Sequence, residues 1–362
     1  MTPMVLLGAL GELGLTAGLL LLWRIPTCPP AGPCAMESVS IIIPARDEEE
    51  NLPRLLRSIG GSTIRPAEVL VVDDGSTDRT AMLARSLGAR VLAPGERPAG
   101  WTGKSWACYQ GAQSARGEVF LFLDADTSFV PGGLERLISF WSKKQEQERG
   151  LVLSALPYHA MEGAYEQLSI FFHLMMAAGA GGFSAIAPAR LFGQSLLLSR
   201  EVYFAAGGHA AVPGVVLENL RWASRLRECG AKILCLGGEG TLQMRMFPNG
   251  FPQMSESLGK ALLQGAADSG GVVLGLAIVW ISVLWSTLLL LLNSGNTSCV
   301  FLAMVYVALS MQIAWMSRRL GSYRPWMCLL YPLPLSYFCF LFGRAALRSA
   351  LGRKAMWRGR QV

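Results

Sequence analysis

The sequence predicts an α/β layer fold carried between membrane-spanning helices at its two ends. Three observations predict it. Of 362 residues, 52% are hydrophobic and only 16% charged, against about 25% charged in an ordinary soluble chain, and the mean hydropathy is +0.37. The longest apolar runs fall near the N-terminus and beyond residue 270. Between them, short β-branched and aromatic runs alternate with amphipathic stretches, as strands alternate with helices in a layered sheet.

The first element, residues 5–23, is apolar over the length that spans a bilayer, interrupted only by Glu12 and closed by Arg24. It has no basic leading region and no small-residue cleavage site, so residues 1–24 read as an uncleaved anchor. With Arg24 behind it and no early Lys or Arg, the charge bias places the chain beyond the anchor in the cytoplasm. A Pro-rich linker over residues 25–37 leads to the α/β domain, residues 38–240. Residues 39–44, 69–72 and 119–123 read as strands. Residues 49–59 read as a helix, with Leu52, Leu55, Leu56 and Ile59 on one face. Strand, helix, strand implies parallel pairing with right-handed crossovers, and in such sheets ligands sit at the carboxyl ends of strands.

Residues 241–270 come next as an amphipathic, interfacial segment interrupted by Pro248 and Pro252. The helical stretch 168–178, rich in Met and Phe, reads as core or as lining for an apolar acceptor. Residues 271–343 form a membrane region in which residues 272–292 and 300–315 make two spans joined by a polar turn. A third run, residues 326–342, contains Pro332 and Pro334. Were it a full span, the basic tail of residues 344–362 would stand outside, against the positive-inside bias, so an incomplete crossing is expected. These features place the protein in the plasma membrane as a multi-pass chain.

The net charge of +7 does not point to nucleic acid. Arg318, Arg319, Arg344, Arg348, Arg353, Lys354, Arg358 and Arg360 sit beside apolar runs, where they suit anionic lipid headgroups. The eight cysteines show neither CxxC pairs nor His partners at metal-ligand spacing, which argues against zinc and suits a reducing compartment. Cys28 and Cys34 flank the linker and read as unpaired.

The chemistry lies just after the strands. Pro44-Ala45-Arg46-Asp47-Glu48 comes after the first, Asp73-Asp74-Gly75-Ser76-Thr77-Asp78 after the second and Asp124-Ala125-Asp126 after the third. Paired carboxylates held at a strand end suit Mg²⁺ or Mn²⁺ bridging phosphates. Asp73 or Ser76 can cap the helix beginning near Asp78 while Asp74 accepts hydrogen bonds from a ligand.

In order and spacing these three motifs resemble the family 2 glycosyltransferases with a GT-A, Rossmann-like nucleotide-sugar fold. Residues 100–107 (GWTGKSWA) and 245–250 (RMFPNG) resemble the membrane branch that includes diaponeurosporenoate (carotenoid) and hopanoid-associated glycosyltransferases. The resemblance implies a UDP-sugar donor, a lipid acceptor in the bilayer and an inverting displacement. It implies that Pro44, Ala45, Arg46 and Glu48 line the nucleoside pocket, that Asp74 reads the base, and that Lys104 lies near the donor. Asp124 and Asp126 would hold the divalent ion on the diphosphate, and Arg245 could contact the same group. For Lys104, a solvated lysine on a flexible Gly-rich loop is the competing reading.

A direct displacement on a hydroxyl also needs a base. In the family this is an Asp after a Glu on the helix following a Gly-Gly turn, and the matching position is Asn219, preceded by Glu218. Glu218 is the candidate base. If the acceptor is a carotenoid carboxylate it is already ionised, and Asn219 is no defect. His209, in the Gly207-Gly208-His209 turn, reads mainly as structural. A polysaccharide synthase on the same fold and a silent nucleotide-sugar-binding membrane partner are the alternatives.

Overall fold

The computed structural model describes residues 3–32, 38–213, 218–268, 270–293, 296–351, 356–357 and 360–361. In chain order the first elements are α1 (Pro3–Leu21), β1 (Val39–Ala45), α2 (Leu52–Gly60), β2 (Glu68–Asp73), α3 (Thr80–Ser86), β3 (Arg90–Leu92), α4 (Gly103–Ser114), β4 (Val119–Leu123) and β5 (Thr127–Phe129). Next come α5 (Gly133–Gln147), β6 (Leu151–Leu156), β7 (Tyr158–His159), a 3-10 turn (Ala164–Ser169), α6 (Ile170–Gly179), β8 (Ser195–Ser199), α7 (Arg200–Ala205), α8 (Glu218–Glu228), β9 (Lys232–Gly237) and β10 (Leu242–Met244). The chain closes with α9 (Phe251–Asp268), α10 (Gly271–Leu292), α11 (Asn296–Ser317), α12 (Pro325–Leu329) and α13 (Pro332–Ala350). These pack as two compact units. One comprises Met1–Arg24, Ala160–Pro188 and Met246–Val362, the other Ile25–His159 and Ala189–Arg245.

The second unit is built on a seven-stranded sheet of order β3-β2-β1-β4-β8-β6-β9. Alternate side chains of its central strands feed two cores. Ile41, Ile43, Val71 and Leu121 meet Leu52, Leu55 and Leu56 of α2 and Leu137 and Trp141 of α5 on one face. Ile42, Val72, Phe120 and Phe122 meet Ala107 and Cys108 of α4 and Trp222 of α8 on the other. The strands expected from the sequence are present, with β1 parallel to both β2 and β4.

One feature of the sheet is not foreseen by the sequence, and two expectations are corrected. The sheet is mixed, because β8 runs antiparallel to both β4 and β6. The chain leaves this unit after His159 and re-enters at Ala189, so β8 is not reached by a helical crossover that would force parallel pairing. Helix α2 starts at Leu52 rather than residue 49, since the amides of Asp47, Glu48 and Glu49 bond to Ser76, Thr80 and Asp78. Pro53 then suits its first turn. Finally, residues 242–244, expected in the interfacial segment, form β10 between β5 and β7.

In the first unit, Gly271–Leu292 and Ser298–Ser317 are long and apolar enough to cross a bilayer, and Val5–Leu21 is a shorter apolar helix. Helix α1 lies against α10 and α11 through glycines. A Cβ on Gly14 would stand 2.5 Å from Val283 Cγ1, and one on Gly18 2.5 Å from Gln312 Oε1. Residues without a side chain admit this close approach of helices. Polar groups fasten the same seam: Trp280 Nε1 donates to Gln312 Oε1 at 3.0 Å, and Gln312 Nε2 donates to Leu15 O at 2.7 Å. The third C-terminal run is two helices, parted at Leu330–Tyr331 because Pro332 and Pro334 have no amide to continue α12. Cys28 is a buried free thiol, and Cys34 lies outside the described residues.

Gly14→Leu and Gly18→Leu should each lower the stability of this unit by about 1–3 kcal/mol through overpacking. Gly8→Ala, whose Cβ would find its nearest neighbour at 3.8 Å, should leave it unchanged. Thermal unfolding of the detergent-solubilised protein distinguishes the two.

Candidate active site

The carboxyl ends of β1, β2 and β4 meet where the strand order turns about β1, the place where an open α/β sheet leaves a crevice. Pairing of β1 with β4 ends at Ile42 and Phe122, while pairing with β2 continues to Ala45 and Asp73. Beyond Ile42 the chain reaches Pro44, which has no amide to extend a ladder. The recess there is lined by Pro44, Lys104, Phe122, Leu123, Asp124 and Gly193, among others.

The loops after β1 and β2 are clasped by reciprocal bonds. Asp47, at a positive φ of 52° that Asp tolerates better than most residues, donates its amide to Ser76 Oγ at 3.0 Å. Its carboxylate accepts from the Thr77 amide at 2.7 Å. Asp73 closes its own turn by accepting from the Ser76 amide, and Asp78, rather than Asp73 or Ser76, accepts from the amide of Thr80 at the start of α3. Asp74 has a different setting. Its amide donates to Ala45 O at 2.9 Å, its Oδ2 lies 3.7 Å from an Arg46 guanidinium nitrogen, and a Cβ on Gly103 would come within 2.1 Å of the same oxygen. Glu48 accepts from Asn51 Nδ2 at 2.8 Å.

Gly103 opens α4, whose N-cap Thr102 accepts from the Ser105 amide. Lys104 is therefore not on a loose loop. Its Nζ lies 2.6 Å from Asp124 Oδ1 and donates to Gly193 O at 3.0 Å, while the Asp124 amide donates to Gln194 O. Asp126 carries the least compensated charge. Its Oδ1 is enclosed, with no hydrogen-bond partner among the described residues. Burial first, then the neighbouring Asp124 and Glu48 carboxylates, push its pKa up to about 7, against the opposing pull of Lys104. Among the described residues no three His, Cys, Asp or Glu groups form a cluster able to hold a metal. Two carboxylates completed by phosphate oxygens are what Mg²⁺ or Mn²⁺ commonly use at nucleotides, and Asp124 with the orphaned Asp126 fit such an ion.

Residues 40–184 match glycosyl transferase family 2. The 4,4'-diaponeurosporenoate glycosyltransferase of Staphylococcus aureus is 31% identical over 334 residues, covering 90% of this chain and 88% of the relative. The chain belongs to glycosyltransferase family 2. Its fold is also that of a mannosyltransferase, PcManGT from Pyrobaculum calidifontis, solved in complex with GDP-Man and Mn²⁺. The two share 17% identity with a TM-score of 0.56, over 97% of this chain and 99% of that one.

The remaining expected residues of the glycosyltransferase divide into those placed at the strand ends and those not. Ala45 ends β1 beside Asp73. Arg245 comes after β10, whose Met244 pairs antiparallel with Thr127, so Arg245 stands one step past the ladder, level with Asp126. Glu218 and Asn219 open α8, and their side chains lie outside the described residues. His209 lines the recess with Lys104 and Asp124 and is held there by its neighbours. Its Nδ1 is bonded to Tyr203 OH at 3.0 Å, its ring packs on Trp222 at 4.9 Å, and burial, with Lys104 nearby, holds it neutral down to about pH 3. Sequence reasoning missed Gly193 and Gln194, whose carbonyls hold Lys104 and Asp124. Backbone acceptors in a long connection leave no residue-type signal. The competing reading of Lys104 as a lysine on a flexible loop fails because Gly103 opens α4, where a Cβ would have no room beside Asp74 Oδ2.

Because the folded chain holds Asp126 above its ordinary value, the stability it contributes is full below the unfolded pKa of 3.8 and is lost as pH rises through about 7. Without added cation the unfolding temperature should therefore fall between pH 5 and pH 8, less steeply in Asp126→Asn. A cation competes with the proton, so Mn²⁺ should raise the unfolding temperature more at pH 8 than at pH 6. Scanning fluorimetry across a matrix of pH and Mn²⁺ reads both effects.

Proposed function

We propose that this family 2 enzyme is a membrane-embedded, cation-dependent inverting glycosyltransferase. It moves a sugar from a UDP-sugar to a lipid acceptor, with a carotenoid acid as the first candidate. The observation that carries the reading is that α4 links the ends of the two strands flanking β1, with Gly103 against Asp74 after β2 and Lys104 on Asp124, which Asp126 adjoins, after β4. An arrangement with surplus negative charge on one side suits a cation and a diphosphate together.

In this reading Pro44, Ala45, Arg46 and Glu48 border the nucleoside, and Asp74 accepts a hydrogen bond from the base. Asp124 and Asp126 hold Mg²⁺ or Mn²⁺, which when bound offsets the charge that develops on the diphosphate as it leaves. Lys104 already lies at Asp124 and adds a second positive charge there, and Arg245 stands level with Asp126 to do the same. Support for the cation comes from the enclosed, unbonded Asp126 oxygen, and the neighbouring mannosyltransferase fold was solved with Mn²⁺.

The choice of acceptor turns on the chemistry at α8. A hydroxyl nucleophile needs a base, for which Glu218 is the carboxylate available beside Asn219. A carboxylate acceptor, such as the one named for the Staphylococcus relatives, attacks without losing a proton. In that case neither residue acts as base. Helices α1, α10 and α11 serve as membrane spans, with residues 25–270 on the cytoplasmic side of the plasma membrane, and they keep the enzyme where an apolar acceptor dissolves.

Nucleotide release from a UDP-sugar panel by detergent-purified enzyme given lipid extract tests this. Release should require Mn²⁺ or Mg²⁺ and lipid, and Asp126→Ala should reduce it by about 100-fold or more. With a carotenoid carboxylate as acceptor, Glu218→Gln and Asn219→Asp should change turnover by less than about threefold. A large loss in Glu218→Gln would assign a hydroxyl acceptor instead, and release that persists in EDTA would contradict the cation.

A further inference from the structure

Helices α1 and α11 run side by side in one direction. Cβ atoms on Gly8, Gly11, Gly14 and Gly18 would meet Phe301, Val305, Leu309 and Gln312 in turn. Helix α10 runs the opposite way, since Gly14 faces Val283 while Gln312, which donates to Leu15 O and would meet a Cβ on Gly18, accepts from Trp280. Arg24 after α1, Gly271 at the start of α10, and Arg318 and Arg319 after α11 therefore mark one end of this unit.

From that end α12 turns back into the bundle. Ser317 Oγ lies 3.7 Å from Cys328 Sγ. The break between α12 and α13 is then met by two tyrosines: Tyr306 OH donates to Leu329 O at 2.6 Å, and Tyr331 OH donates to Leu284 O at 3.0 Å. The two rings stack at 4.8 Å. Tyr306 and Leu284 belong to the middle turns of α11 and α10, so the chain reverses beside the middle of the two spans. Non-helical backbone is tolerated at such a depth only where protein groups satisfy it, and these hydroxyls do so.

Helix α13 then returns instead of continuing. Tyr337 OH lies 2.7 Å from Ser255 Oγ, and Arg344 donates to Ser255 O at 3.1 Å. Phe342 packs in the same cluster as Tyr165, which belongs to the 3-10 turn. That turn is preceded by Met161, whose amide donates to Ser322 Oγ, in the connection between α11 and α12. The far half of α13 thus comes back level with the point where α12 began.

We propose that Pro325–Ala350 is a re-entrant hairpin, and that its return builds, with the end of α11, one basic platform that holds anionic phospholipid headgroups. The inference rests on the proposed membrane embedding of the enzyme. Arg318, Arg324 and Arg348 are exposed, as are Trp315 and Trp326, the residue type that settles at the headgroup level. No Asp or Glu occurs after Asp268; from other elements, Glu162 and Glu166 lie on the segment that meets Ser322 and Arg324, and Glu256 follows the Ser255 that Arg344 bonds, so three acidic residues stand against the arginines of the platform and of the tail. Phosphatidylglycerol-like headgroups supply the missing charge.

Reporter fusions to the C-terminus of the full chain test the hairpin. Green fluorescent protein there should fluoresce and alkaline phosphatase should be inactive, and trypsin added to inverted vesicles should cut both the tail and the segment after Arg24. Active phosphatase, with a tail cut only from the face opposite that segment, overturns the hairpin while leaving the protein membrane-bound. Extraction of the protein by alkaline carbonate overturns the membrane reading itself. The headgroup partner is tested in nanodiscs. Phosphatidylglycerol should raise the unfolding temperature over phosphatidylcholine, and the triple variant Arg318→Gln, Arg324→Gln, Arg348→Gln should lose most of that gain. An equal gain in the variant overturns the platform.

Discussion

The candidate site depends on how closely α4 lies on β1 and β2. A Cβ on Gly111 would stand 2.6 Å from Ile42 Cγ2 and 3.0 Å from Val72 Cγ2, so only a glycine lets the helix sit flush on the sheet. That seating brings the first residue of α4 against Asp74 and sends Lys104 across to Asp124. A helix N-terminus carries partial positive charge, and here it is delivered, together with a lysine, to a crevice whose strand ends are acidic. Raise the helix by the thickness of a methyl group and both contacts open together.

The acidic side of the crevice is overloaded. Asp73, Asp47 and Asp78 are consumed in holding the loops, each accepting from backbone amides. Asp126 is not so engaged at Oδ1, and its neighbours are two further carboxylates against one lysine. A buried group of this kind is costly unless something positive joins it. The chain retains it in a position where a cation and a diphosphate would complete the balance.

Much of this arrangement is legible in the sequence. The three strands that bear the motifs are short β-branched or aromatic runs, and the rule that ligands gather at carboxyl strand ends puts Arg46, Asp74, Asp124 and Asp126 at one sheet edge, whereas the place of Lys104 is implied only by the family resemblance. The antiparallel β8 is not legible, because it depends on a long excursion between His159 and Ala189 that carries no strand-pairing signal. The start of α2 is misplaced by periodicity because an apolar pattern cannot see that the amides of Asp47, Glu48 and Glu49 are claimed by another loop. Nor can hydropathy decide the third C-terminal run. The prolines mark a break, but the reversal there is fixed by hydroxyls of Tyr306 and Tyr331 meeting distant carbonyls.

The central claim is that strand ends far apart in sequence form a single nucleotide site. Calorimetric titration of UDP into the detergent-purified enzyme, with and without Mn²⁺, tests it most directly when Asp74→Ala and Asp126→Ala are compared. The account predicts Mn²⁺-dependent binding that each substitution alone weakens severely, since one residue lies after β2 and the other after β4. Binding of UDP that is equally strong in EDTA and in both variants would contradict it.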